Sequence, residues 1–171
     1  LIESPPNKNR ANKTNKVVLV IAKTAFDNKN WNKKELAKFN AYLNARGILP
    51  IYIGGPSDFD YIENIEGEKI NIAGKFSIRA LPYIAQKAEL ALAMCTGPMH
   101  IVATAEIPII VLYGPSDPKR WAPAKAYVVQ SNLDCVPCLR WADCNKELGR
   151  TCMDEKKKKK VRDIIEENGL L

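Results

Sequence analysis

Apolar residues gather in short unbroken blocks along this chain, and polar, periodic stretches separate them. Val17 to Ala22 reads VVLVIA, and Ile48 to Ile53 reads ILPIYI despite Pro50. Weaker blocks cover Lys69 to Ala73 and Leu90 to Met94. Ile107 to Tyr113 (IPIIVLY) and Tyr127 to Val129 complete the series. A block without polar alternation predicts a strand buried on both faces, as parallel sheets require. Helical spacing fills the gaps. Asn32 and Glu35 form an N-x-x-E entry, Leu36, Phe39, Tyr42 and Leu43 keep one face, and Gly47 closes the helix. A second helix is expected over Ser77 to Lys87, distorted near Pro82, and a third over Pro98 to Ala105. Val161, Ile164 and Ile165 mark a last one, closed by Gly169.

Strands alternating with helices predict an open, doubly wound, Rossmann-like α/β domain over residues 16–171. In such sheets ligands sit at the carboxyl ends of the strands. The opening LIESPPNKNRANKTNK is polar and rich in Pro and Asn. Residues 1–15 therefore read as an interdomain linker remnant and not as a signal peptide, so the chain is expected to be part of a longer protein.

Composition narrows this picture only a little. At 171 residues and 46% hydrophobic, the chain suits a single packed core. It has no run of about 18 apolar residues that would cross a bilayer. The net charge of +7 comes partly from Lys156 to Lys160 and is local in that sense. A basic balance suits anionic ligands, nucleic acid or a membrane surface; the competing reading is a solvated helix face. Few aromatics interleave with the lysines, which argues against nucleic acid. No G-x-G-x-x-G follows the first strand, which argues against a nicotinamide enzyme, and no P-loop signature occurs.

The chemistry concentrates where strands are expected to end. Cys95-Thr96-Gly97-Pro98 follows the fourth strand and leads to His100, the one histidine in the chain. Pro98 suits the first helical position, and Gly97 leaves room for a ligand. The amides of Met99 and His100 are expected to point unpaired out of the helix start, an anion site to which Thr96 and His100 add donors. An ordinary strand–helix turn carrying a satisfied histidine is the competing reading. Gly114-Pro115 follows the fifth strand, with Ser116 or Asp117 capping a short helix around Pro118 to Trp121. Lys29, in the loop after the first strand, can neutralise phosphate oxygens. Asp58, after the second, can hold ribose hydroxyls or simply cap its turn.

Cys135, Cys138, Cys144 and Cys152 are spaced C-x2-C-x5-C-x7-C. Four thiolates suit a structural zinc or iron–sulfur centre. Two disulfides or free buried thiols are the alternatives, and the redox compartment would decide between them.

Several motifs in order then resemble the C-terminal half of glycosyltransferase family 9, the lipopolysaccharide heptosyltransferase family. They are DNKNW (Asp27 to Trp31), GGPSD (Gly54 to Asp58), AGKFSI (Ala73 to Ile78), TGPMHIVAT (Thr96 to Thr104) and LYGPSDPKRWAP (Leu112 to Pro123). The cysteine pattern ending in TCM is similar to that of many members. The likeness runs from about Lys16 onward. It implies a GT-B fold, with the donor held mainly by this domain, and inverting transfer of a sugar from a nucleotide donor, often ADP-heptose, to a lipid-linked saccharide. No cofactor is implied for transfer. Lys29 would meet the donor phosphates; Thr96, Gly97 and His100 would line the diphosphate and sugar pocket; Asp58 would approach the nucleoside. Two departures stand out: Cys95 replaces the family's usual Asp, and the half carrying the acceptor site and general base is not in this sequence. The resemblance implies cytoplasmic work, at the inner face of a membrane. The runner-up expectation is a nucleotide-binding module without transfer.

Overall fold

The computed structural model describes residues 16–140, 144, 151–153 and 156–171. The linker expected over residues 1–15 lies outside the described residues. Six parallel strands form one sheet: β1 (Val17–Ile21), β2 (Leu49–Tyr52), β3 (Ile70–Asn71), β4 (Leu90–Met94), β5 (Ile109–Tyr113) and β6 (Tyr127–Gln130). Their order is β3-β2-β1-β4-β5-β6. The chain winds outward from β1 to β3, then returns to β4 and winds the other way. The α-helices among the described residues are α1 (Lys33–Asn44), α2 (Phe59–Glu63), α3 (Leu81–Ala85), α4 (Gly97–Ala103), α5 (Pro118–Trp121) and α6 (Lys156–Glu167).

The unbroken apolar blocks have the cause expected of them. β4 and β5 are buried at every position. Successive side chains of a strand point to opposite faces, and both faces are covered. Val18, Val20, Leu90, Leu92, Ile110 and Leu112 pack with Leu36, Phe39 and Leu43 of α1 and Val161 and Ile165 of α6. Leu19, Ile21, Ala91, Ala93, Val111 and Tyr113 pack with Ala85 of α3 and Met99 and Val102 of α4. The third strand is shorter than the Lys69 to Ala73 block, because β3 is an edge strand and pairs only Ile70 and Asn71 with β2.

Helix ends follow their sequence signals. The Asn32 side chain accepts from the Glu35 amide at 2.9 Å. Past α1, Gly47 takes φ 73 and the next amide, Ile48 N–H, closes onto the Leu43 carbonyl at 3.0 Å. Gly169 repeats this with φ 57 and a Leu170 to Ile165 bond of 3.0 Å. The Ser77 to Lys87 segment splits into a 3-10 turn over Ile78–Ala80 and then α3, with Pro82 in its first turn. α2 carries no strong signal and was not expected.

One polar network is sealed inside. Asn40 of α1 is fully buried. It accepts from the Tyr52 hydroxyl at 2.7 Å and donates to the Glu66 carbonyl at 2.9 Å. Burial pushes the Tyr52 phenol well above its ordinary range. Asn40 thus pins the α1 face to β2 and to the turn before β3. Asn40→Ala is expected to lower the unfolding free energy by about 1–3 kcal/mol, since it leaves a buried hydroxyl and a carbonyl unpaired. Urea unfolding measures it, and an unchanged midpoint would show that the network contributes nothing.

Candidate functional site

All six strands are parallel, so every strand-to-helix loop leaves the same edge of the sheet. The reversal between β1 and β4 opens a crevice there. Ile21 is in register with Ala93, and Met94 with Leu112. The loops after β1, β4 and β5 therefore leave the sheet side by side, each carrying residues singled out in the sequence.

The loop after β1 braces itself. Thr24 N–H donates to Asn30 Oδ1 at 2.7 Å, and the Thr24 hydroxyl bonds the Phe26 carbonyl at 2.9 Å. This folds Asp27–Lys29 into one 3-10 turn with Lys29 at its end, half-buried. Beside the loop stands Tyr61 of α2. Its hydroxyl donates to the Trp31 carbonyl at 3.3 Å, and the ammonium groups of Lys23 and Lys33 lie 5.4 and 4.6 Å from its ring centre. Burial, reinforced by the Asp27 charge, pushes the Tyr61 phenol up to about 12. Lys23 and Tyr61 escaped the sequence reading: the first is an isolated lysine, and the second lies on the unexpected α2.

After β4 the chain turns at Cys95, which is buried, and Thr96, which is half-buried. α4 begins one residue earlier than expected, at Gly97, so Pro98 is its second residue. The Thr96 hydroxyl is not spent on capping α4. A side chain at Gly97 would meet no protein atom within 4 Å. His100 is exposed on the first turn, on the face opposite the buried Met99 and Val102. One expectation is corrected here. The Met99 amide is not unpaired, because it donates to the Thr96 carbonyl at 3.2 Å. The turn tightens on itself and spends one of the two donors assigned to an anion.

The two outer loops are more structural in character. Asp58 accepts from the Gly55 amide at 2.9 Å, the turn-capping arrangement. Gly74 donates to the Gly54 carbonyl at 3.0 Å, and a side chain on it would lie 2.9 Å from Pro56 Cα. Its φ of 74 adds to that requirement for glycine. Hence GGPSD and AGKFSI are packing partners. Asp117 caps α5 by accepting from the Lys119 amide at 2.9 Å. Gly114 is buried, and a side chain there would press on Met153 Sδ at 2.9 Å and Cys152 Sγ at 3.3 Å. Its bareness makes room for the cysteine-rich segment.

The described residues of that segment lie against the β1 and β5 loops. Cys135, Cys138, Cys144 and Cys152 line one cavity of about 20 Å³, together with Asn28 and Pro115. No cysteine is in a disulfide. Among the described residues, no group of three or more Cys, His, Asp or Glu stands close enough to hold a metal ion. Thiolates are donors that suit a soft cation, though these cysteines are not gathered into such a group here.

In doubly wound sheets ligands bind at the reversal crevice, which here is bordered by the Lys29 turn and the Thr96-Gly97-Pro98 helix start. The model of glycosyltransferase family 9 (heptosyltransferase) matches residues 2–148, and the chain belongs to that family. The lipopolysaccharide core heptosyltransferase OpsX of Haemophilus influenzae is 29% identical over 128 residues, which cover 71% of this chain and 35% of OpsX. The E. coli heptosyltransferase WaaC, solved with ADP-2-deoxy-2-fluoro heptose, shares the fold with a TM-score of 0.68 at 20% identity, over 92% of this chain and 44% of that one. TibC from enterotoxigenic E. coli, an iron-containing dodecameric glycosyltransferase, gives 0.75 at 16% identity, over 91% and 45%. The chain thus spans less than half the length of these relatives. No helix among the described residues is long and apolar enough to cross a membrane.

The open space at Gly97 makes a test. Gly97→Ala should leave the melting temperature unchanged, because the added methyl meets nothing in the protein. Gly97→Leu should then weaken ADP binding if the diphosphate passes over the turn. Calorimetry with ADP reads this, and equal affinity in all three proteins would remove Gly97 from the site.

Proposed function

We propose that this chain is the donor-binding domain of an inverting heptosyltransferase-like enzyme acting in lipopolysaccharide synthesis. Its donor is an ADP-heptose-like nucleotide sugar, and its acceptor is a lipid-linked saccharide held by residues outside this chain. The observation that carries the reading is the unfilled space over Gly97, at the reversal crevice of a chain that belongs to this family. The ligand bound to WaaC, ADP-2-deoxy-2-fluoro heptose, supports the donor class.

In this reading Lys29 meets the diphosphate from the β1 side, while Thr96 and the start of α4 meet it from the β4 side. As the sugar departs, negative charge grows on the diphosphate, and preset donors lower the energy of that charge. His100 adds an imidazole donor on the same turn, and Asp58 approaches the nucleoside with the carboxylate edge that its cap leaves over. No residue of this chain is assigned as the general base. Transfer would take place on the cytoplasmic side, at the membrane surface where a lipid-linked acceptor resides. The cysteines Cys135, Cys138, Cys144 and Cys152 would hold a structural metal, zinc or iron, that closes the segment beneath the loops and takes no part in transfer.

A second reading rests on Cys95. It is buried just after β4, at the position where the resemblance implies Asp. A domain that binds nucleotide without transferring sugar would tolerate that exchange. ADP binding without turnover in the presence of a lipid-linked saccharide would favour it.

Lys29→Ala should weaken ADP binding by about 1–3 kcal/mol, the scale of a charge-assisted hydrogen bond. Titration calorimetry at low salt measures it, and an unchanged dissociation constant would remove Lys29 from the site. Metal analysis of anaerobically purified protein should find one zinc or iron per chain, lost in Cys138→Ala. Metal-free protein with all five thiols titratable would overturn the metal assignment.

A further inference from the structure

Asn28 comes directly before Lys29 on the Asp27–Lys29 turn. Phe26 and Asp27 face solvent, yet Asn28 is only 6% exposed. A partner far along the chain holds it in. Asn28 Nδ2 donates to the Arg140 carbonyl at 2.8 Å. Its Oδ1 is buried with no hydrogen-bond partner among the described residues, and Asn28 lines the cavity of the four cysteines. A buried amide oxygen of this kind carries a desolvation cost. The site retains it because the other half of the amide makes the bridge.

The far end of the bridge is also fixed. Leu139 adopts φ 57, a region that branched residues rarely enter. Its amide donates to the Pro115 carbonyl at 2.9 Å. Pro115 belongs to the β5 loop, and the neighbouring Gly114 lies against Cys152 and Met153. The cysteine-rich segment is therefore tied by backbone to the β5 loop and by the Asn28 side chain to the β1 loop.

We propose that Asn28 is a positioning residue that couples the cysteine-lined cavity to Lys29. The bond to the Arg140 carbonyl fixes the turn that aims the lysine, so a disturbance among the thiols is felt as weaker binding of a nucleoside diphosphate. The ligand half of this proposal rests on the donor-site reading of Lys29. A lysine has several free rotors, and ordering the backbone beneath it removes part of the cost of binding. The electrostatics of the bridge are selective as well. Asn28→Asp keeps the volume but turns a carboxylate oxygen toward a carbonyl, so it breaks the bond without leaving a void.

Hydrogen exchange over residues 24–30 and ADP calorimetry together test this. Asn28→Ala and Asn28→Asp should both speed exchange in that segment, while β1 and β4 keep their protection. Cys138→Ala should speed exchange in the same segment of the wild-type protein and add nothing in the Asn28→Ala background, the mark of a shared connection. The ADP dissociation constant should rise by about fivefold to tenfold in Asn28→Ala, as expected for one lost hydrogen bond. No further rise is expected when Asn28→Ala is added to Lys29→Ala, an outcome that general loosening of the fold would not give. Unchanged or additive exchange effects with ADP binding intact would overturn the coupling alone. Failure of the wild-type protein to bind ADP would overturn the donor reading and the ligand half of this proposal with it.

Discussion

The pairing of β1 with β4 is the contact on which the rest of this domain depends. These strands are far apart in sequence, yet they lie side by side at the centre of the sheet. Their parallel alignment sends both following loops out of one edge. Their burial on two faces gives each strand its unbroken apolar block. The crevice exists because the chain reverses its winding between them. Without that pair, Lys29 and the Gly97 turn would belong to separate surfaces.

Around the crevice, the loops differ in what holds them. The β1 loop is braced by Thr24 and Asn30 from within and, through Asn28, by the Arg140 carbonyl from outside. The β4 turn is short and closes on its own carbonyl. The β2 and β3 loops hold each other through Gly54, Pro56 and Gly74. The β5 loop is packed from below by Cys152 and Met153, and Gln130 reaches its Gly114 and Ser116 carbonyls at 3.3 and 3.0 Å. The glycines of these motifs thus serve different ends: Gly97 faces open space, while Gly74 and Gly114 admit close packing.

Much of this was legible in the sequence, for local reasons. Continuous apolar runs mark strands covered on both sides, and Asn32, Gly47 and Gly169 mark helix ends through their own chemistry. The Thr-Gly-Pro signal marks the start of α4 to within one residue. What escaped was set by contacts that no local pattern encodes. The Met99 amide is taken by a carbonyl three residues back, which depends on how tightly the turn winds. Gly114-Pro115 reads as a turn after a strand, and nothing local reveals that its near neighbours are Cys152 and Met153. Asn28 reads as one more polar loop residue; its partner lies 112 positions away. α2 is a single short turn without a cap signal, and Tyr61 was hidden with it.

The place of β4 also bears on how the chain is made. On the ribosome, β1, β2 and β3 emerge before β4 and can pair among themselves. The other edge of β1, with its row of backbone N–H and C=O groups, has no neighbour until β4 follows. At about 5–20 residues per second, that edge waits several seconds. For that interval the nascent chain carries an unpaired, sticky strand at what will become its centre. The arrangement that builds the crevice therefore leaves its central strand half-paired during synthesis.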